Sequence, residues 1–214
     1  MKPITVVIAD DHAVMRQGLR ALLADTHDIE IIGEAATGRE ALARADALAP
    51  AVVVMDIAMP DLNGLDATRA LREKHRDIQV VILSMHADAE YVFRAFAAGA
   101  NGYLLKESAV DEIITAIRAV HAGRRYLGTG TSFEGAADAV SGARSSPLES
   151  LSTREREVLQ LVVEGHSSAE IATAIHLSPK TVESYRSRLM KKLGVKDFPA
   201  LVKFAIQHGL TRSR

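Results

Sequence analysis

The sequence contains no cysteine, so disulfides, zinc–thiolate centres and thiol nucleophiles are excluded. No apolar run approaches the roughly 18 residues that a membrane-spanning helix needs. The opening MKPITVVIADD reaches charge within ten residues. That argues against a signal peptide or membrane partner and for a cytoplasmic protein. A strong charge of one sign is also missing, the net being −1. What is present is enough apolar material, 48 % of 214 residues, for one large or two small cored domains.

The near-zero net charge conceals an asymmetry. Residues 149–214 hold 11 Lys and Arg against 7 Asp and Glu, a net +4, and the other 148 residues hold 15 against 20, a net −5. Opposite signs in the two parts suggest different partners, although +4 on 66 residues is also within chance.

Val52–Gly64, VVVMDIAMPDLNG, organises the first part. A short apolar run ends on a carboxylate, Asp56, and turn residues follow at once. Such a run reads as a buried, parallel strand. Its charged tip lies at the edge where open α/β sheets bind ligands. Taken alone, Asp56 reads equally well as an ordinary loop aspartate. Ile4–Ala9, Ile29–Ala35, Gln79–Ser84 and Gly102–Leu105 repeat the strand pattern. Helical spacing falls between and after them, over Val14–Leu23, Glu40–Leu48, Leu65–Lys74, Ala89–Ala98 and Ala109–His121. Five βα repeats predict an α/β fold, a five-stranded doubly wound parallel sheet with helices on both faces. Parallel strands share one carboxyl edge, so Asp10, Asp11, Asp56, Ser84 and Lys106 all stand on it.

Converging carboxylates repel one another and call for a cation. An all-oxygen set at a wet site suits Mg²⁺. Lys106 supplies a point charge for a phosphoryl oxygen, and Ser84 can donate one hydrogen bond to another. The group as a whole describes a carboxylate nucleophile poised for phosphoryl transfer. Any one member alone is an ordinary surface or strand-end residue.

From Gly128 to Ser146 the chain is rich in Gly, Ala and Ser and reads as a flexible linker, with Phe133 its only aromatic and able to dock locally. Beyond Pro147 the pattern is helical. Ser152–Glu155 and Ser167–Glu170 are capping boxes, opening helices through Val163 and Ile175. Ser178 and Pro179 start a third helix to about Leu193, and a fourth covers roughly Pro199–His208. The second and third suggest a helix-turn-helix. On the third, Lys180, Glu183, Ser184, Ser187, Arg188 and Lys191 share a polar face opposite Val182, Tyr185 and Leu189. The bland alternative is a solvated surface helix. As a groove reader, it assigns Lys180, Arg188 and Lys191 to phosphates, and Glu183, Ser184 and Ser187 to base edges. Arg186 lies beside the buried face, placed to pair within the domain.

The sequence resembles a two-component response regulator of the NarL/FixJ family. The motifs are IADDH at 8–12, MDIAMPDLNG at 55–64, ILSMH at 82–86 and GANGYLLKES at 99–108, then LSTREREVLQL at 151–161 and SPKTVESYRSRLMKKLGV at 178–195. The resemblance implies a flavodoxin-like receiver over 1–124, a linker over 125–148 and an all-α, four-helix LuxR-type DNA-binding domain over 149–214. It implies that Asp56 accepts phosphate from a sensor histidine kinase. Asp11 and Asp56 would bind Mg²⁺ directly, Asp10 through water and Ala58 through its backbone carbonyl. Ser84 and Tyr103 match the switch positions, Lys106 the phosphate-contacting lysine, and Thr181 falls in the DNA-reading helix. Partners would be double-stranded DNA and a second copy of the chain, the last helix with Phe198, Leu201, Val202, Ala205 and Ile206 offering part of a dimer contact.

Two departures bear on access and geometry: Met85 stands where many receivers have a small residue, and Lys106 is followed by Glu107 rather than proline. Ala58 and His86 flank the site and should tune phosphate lifetime. A rival class, phosphatases of the haloacid dehalogenase type, needs a second acid two residues after the nucleophile. Ala58 occupies that position and cannot move a proton. The expectation is therefore a phosphate-storing, non-enzymatic regulator with at most slow self-dephosphorylation. The alternative is a phosphorylation-independent DNA-binding regulator whose receiver only dimerises.

Overall fold

The computed structural model describes residues 2–131, 147–207 and 210, without the side chains at 147, 149, 206 and 207. The chain divides into two compact units, Met1–Ser141 and Gly142–Arg214.

In the first unit, β1 (Ile4–Ala9), α1 (Ala13–Ala24), β2 (Ile29–Ala35), α2 (Gly38–Leu48), β3 (Val52–Asp56) and α3 (Gly64–Lys74) alternate. β4 (Gln79–Ser84), α4 (Ala89–Ala97), β5 (Gly102–Leu105) and α5 (Ala109–His121) continue the pattern, and β6 (Tyr126–Leu127) closes it. The sheet is parallel throughout, in the order β2-β1-β3-β4-β5-β6. β1 and β3 are almost wholly apolar because both faces are covered. Val7, Val53, Met55 and Ile82 point into one core with Ala41, Leu71 and Val92, from α2, α3 and α4. Val6, Ile8, Val54 and Leu83 point into the other with Leu19, Leu23, Ile113 and Ile117, from α1 and α5. The strand order reverses between β1 and β3, and a crevice at such a switch point is where ligands bind.

The expected count of five strands is corrected to six. Gly102 pairs with Tyr126 and Tyr103 with Leu127, and the Gly128 N–H donates to the Tyr103 carbonyl at 2.8 Å. Two residues are too few to show an alternating pattern, so β6 exists only through its partner strand. The stretch expected as linker from 125 onward thus begins as part of the sheet. Glu112 of α5 holds it there, accepting from the Tyr126 hydroxyl at 3.0 Å and the Thr129 N–H at 3.1 Å. The local docking expected of Phe133 lies outside the described residues.

The second unit opens with a 3-10 turn, Pro147–Ser150, followed by α6 (Thr153–Val163), α7 (Ser168–Ala174), α8 (Pro179–Leu193) and α9 (Phe198–Gln207). Both expected capping boxes form, on Ser152 with Glu155 and on Ser167 with Glu170. Ser178 caps α8, and Gly194 ends it in the left-handed region at φ 67°. Val158, Val162, Ile171, Val182, Leu189, Leu201 and Ala205 form the core. Leu201 and Ala205 are thereby spent inside, and of the apolar residues expected at a dimer contact Phe198 is the exposed one among those described. The expected end of this helix at His208 falls on a residue outside the described set.

Candidate functional site

Register places the acidic edge. Ala9 pairs with Met55, so the residues that follow them, Asp10 and Asp56, emerge side by side. Both are buried, as is Lys106. The lysine ammonium donates to Asp10 Oδ2 and to Asp56 Oδ2, each at 2.7 Å. One ammonium between two buried carboxylates leaves net negative charge, and Asp11 adds to it. A buried ionic group of this kind is stable only when its charge is compensated. Donor atoms of Asp10, Asp11, His12 and Asp56 lie within 4.8 Å of one another. The oxygen-rich donor set and its excess of carboxylates fit a hard divalent cation. His12 Nδ1 stands 2.6 Å from Asp11 Oδ1, and the His12 backbone N–H donates to Asp10 Oδ1 at 2.8 Å.

The turn after β3 fixes Asp56 from below. The Ile57 N–H donates to Leu83, and Ile57 accepts from the Gly64 N–H at 2.8 Å. Asn63 caps α3, accepting from the Asp66 N–H at 3.0 Å and donating to its carboxylate at 2.9 Å. A Cβ on Gly64 would sit 1.9 Å from the Asp56 carbonyl oxygen, so only glycine admits this approach. Asp56 Oδ1 accepts from the Ala58 N–H at 3.3 Å.

On the other flank, the Ser84 hydroxyl accepts from the His86 N–H at 3.0 Å. The Tyr103 ring is fully buried, and its hydroxyl donates to the His86 carbonyl at 2.7 Å. Burial pushes the phenol well above its ordinary pKa, so it remains a donor at any physiological pH. The His86 ring stacks on Tyr91 of α4, with centroids 4.0 Å apart. Tyr103 and His86 therefore join β5 to the loop that carries Ser84. Met85 is 62 % exposed. No cis peptide bond occurs among the described residues, so Lys106–Glu107 is trans.

In the second unit, α8 exposes Lys180, Glu183, Ser184, Ser187, Arg188 and Lys191, while Val182 and Leu189 are buried and Tyr185 half-buried. Thr181 is half-buried, its N–H and hydroxyl engaged with the Ser178 cap. Glu183 accepts from the Ser168 hydroxyl and lies 3.7 Å from Arg186. Lys192 donates to the buried Glu155 carboxylate at 2.6 Å.

Residues 6–118 match the response regulator receiver domain, and residues 149–205 match the bacterial regulatory proteins of the luxR family. The chain belongs to the NarL/FixJ family of two-component response regulators. It is 37 % identical over 208 residues to response regulator UvrY of Escherichia coli O6:H1, covering 97 % of this chain and 95 % of that one. It is 36 % identical to response regulator GacA of Pseudomonas aeruginosa, covering 97 % of both. A solved structure of RcsB from Salmonella enterica serovar Typhimurium, bound to promoter rprA in the presence of phosphomimetic BeF3−, superposes with a TM-score of 0.62. It is 25 % identical, covering 94 % of this chain and 98 % of that one. This response regulator is a regulator of transcription, with a receiver followed by a LuxR-type DNA-binding domain.

Most edge residues singled out from the sequence meet in the regulator's structure. Asp10, Asp56 and Lys106 touch directly, Asp11 stands beside them through His12, and Ser84 joins Tyr103 through His86. Two residues at this edge escaped the sequence reading. Arg16 donates to the Asp10 carbonyl at 2.6 Å and to Glu34 at 3.2 Å. The one sequence signal was an arginine in the opening turns of a helix, where a cation is disfavoured.

Proposed function

We propose that Asp56 is the phosphoacceptor of this regulator and that a sensor histidine kinase is the donor. A carboxylate oxygen of Asp56 attacks phosphorus, the new O–P bond forms, the P–N bond of phosphohistidine breaks, and the imidazole nitrogen leaves. The observation that carries this reading is the buried Lys106 ammonium shared at 2.7 Å by Asp10 and Asp56. It lies where an incoming phosphoryl oxygen must be neutralised. Asp11, Asp56 and the Ala58 carbonyl would hold Mg²⁺, with Asp10 through water; when bound, the ion supplies charge neutralisation of the phosphoryl oxygens. Ala58 offers no general acid, so the regulator stores phosphate and loses it at most by slow self-dephosphorylation.

Phosphorylation adds roughly −1.5 to −2 charge. Ser84 and Lys106 are drawn to it, Tyr103 follows through the His86 loop, and the surface near α4 and β5 changes. That change alters homodimerisation and DNA binding. The receiver spans 1–124 with β6 added, and the DNA-binding domain spans 149–214. Lys180, Arg188 and Lys191 contact phosphates, and Ser184 and Ser187 reach base edges. Glu183 is already tied to Ser168 and Arg186, so any base contact it makes competes with those bonds. Thr181 contributes chiefly by completing the α8 cap against the backbone of the duplex.

Acetyl phosphate with Mg²⁺, followed by intact mass, tests the acceptor. One added phosphoryl group in the wild type and none in Asp56→Asn is expected. No addition, or addition unaffected by Asp56→Asn, would leave the phosphorylation-independent reading in its place. DNA binding with and without the phosphodonor then tests the coupling.

A further inference from the structure

Arg16 occupies a position that helix electrostatics disfavours. It lies in the opening turns of α1, at the positive end of the helix dipole. α1 has no acidic residue in its first turn and no side-chain bond at its N-cap. The guanidinium is nevertheless drawn inward, with its side chain 18 % exposed. It donates from Nη1 to the Asp10 carbonyl at 2.6 Å and from Nε to Glu34 Oε2 at 3.2 Å. Glu34 is also gripped by Arg20, Nε to Oε1 at 2.8 Å. The Arg20 hydrogen bond, with that of Arg16, holds the Glu34 carboxyl below its ordinary range, so it is an anion throughout the physiological range.

The Asp10 carbonyl belongs to the peptide that joins Asp10 to Asp11. That peptide is planar, so the direction of its oxygen fixes the direction in which Asp11 leaves. The amide at the other end of Asp10 is held as well, its N–H donating to the Ala35 carbonyl at 3.1 Å. β2 thus grips Asp10 twice, directly through Ala35 and indirectly through Glu34 and Arg16. The indirect grip needs a planar fork with two donors in fixed relation. A lysine ammonium is a single point charge and lacks that fixed two-donor geometry.

We propose that Arg16, buttressed by Glu34, is a positioning residue that orients the Asp10–Asp11 peptide and so sets the cation affinity of the acidic edge. The inference rests on the reading of that edge as a magnesium-dependent phosphoacceptor site. Arg16 touches neither the cation nor the phosphoryl group and acts only through the ligand loop, as outer-shell partners of metal ligands do.

Calorimetric titration of the full-length protein with Mg²⁺ tests it, with thermal midpoints taken in the absence of metal. Arg16→Met should raise the dissociation constant about tenfold, with Arg16→Lys and Glu34→Gln moving it the same way by less. Arg20→Met removes one of the two arginines on Glu34 but keeps the Arg16–Asp10 bond, and should move it less than Arg16→Met. Phosphorylation from acetyl phosphate should show the half-saturating Mg²⁺ concentration raised in Arg16→Met and the rate at saturating Mg²⁺ retained. A general loss of stability would not give that split. Wild-type Mg²⁺ affinity in a folded Arg16→Met protein overturns the inference. If that variant does not fold, wild-type affinity in both Arg16→Lys and Glu34→Gln overturns it equally. A wild type that binds no Mg²⁺ and takes no phosphoryl group defeats the reading of the edge and the inference together. A competent wild type with insensitive variants defeats the inference alone.

Discussion

One glycine and two adjacent lysines show how much one atom or one charge decides at the residue scale. Gly64 has no room for a methyl group, since the Asp56 carbonyl oxygen stands 1.9 Å from where its Cβ would be. Gly64→Ala should therefore cost about 1–3 kcal/mol by overpacking and displace the acceptor. The check is denaturant unfolding together with phosphoryl uptake, both expected to fall. Lys191 and Lys192 are exposed neighbours with different partners. Lys191 is exposed on the reading face, and Lys192 is bonded to the buried Glu155. Lys191→Ala should weaken DNA binding across all sequences and reduce the salt slope by about one. Unchanged affinity at every salt concentration would refute that assignment. The exposed face of α8 was legible in the sequence because helical spacing groups its polar residues opposite Val182 and Leu189. The Glu183–Ser168 bond was not, because it joins residues of different helices.

At the scale of elements, α1 and α6 depend on their surroundings in different ways. Gly18 interrupts α1 with nothing within 4 Å of a Cβ placed there and no left-handed backbone to justify it. Gly18→Ala should stabilise the receiver by about 1 kcal/mol, read as a higher unfolding midpoint with phosphoryl uptake unchanged. α6 is secured at its start by Glu155. Burial raises the pKa of this carboxyl, but the Lys192 ammonium and the Ser152 cap outweigh it, leaving it below its ordinary 4.5. A depressed carboxylate contributes stability that is complete above its unfolded pKa and is lost as pH falls through its folded one. The DNA-binding unit should therefore weaken as pH drops below about 4.5, and Glu155→Gln should flatten that dependence. Stability measured at several acid pH values checks it. Ten elements of the receiver followed from periodicity, usually to within a residue or two. β6 did not, since a two-residue strand is defined by its partner and not by its own pattern.

Across the whole molecule, two units with separate cores carry opposite net charge, −5 before residue 149 and +4 from there on. Separate cores predict separate unfolding transitions. The proposed Mg²⁺ site lies at the acidic edge of the receiver, so Mg²⁺ should raise the receiver transition alone. At a hundredfold excess over its dissociation constant the gain is about 2.7 kcal/mol. Calorimetry with and without Mg²⁺ checks this, and a shift of both transitions together would argue against independent units. The sequence by itself determined the alternation of strands and helices, the two cores, the capped helices and the set of charged strand tips. These depend on period and composition, which are local properties of the chain. Only the tertiary structure decided which strand tips touch. The reversal of strand order between β1 and β3 sets Asp10 beside Asp56, and Lys106 bridges them across 50 residues of chain from Asp56. It also decided that Arg16 and Glu34, with no mark in the local pattern beyond one misplaced cation, hold the peptide from which two of the carboxylates hang. Such contacts follow from packing distant segments together, and no window of sequence contains both partners.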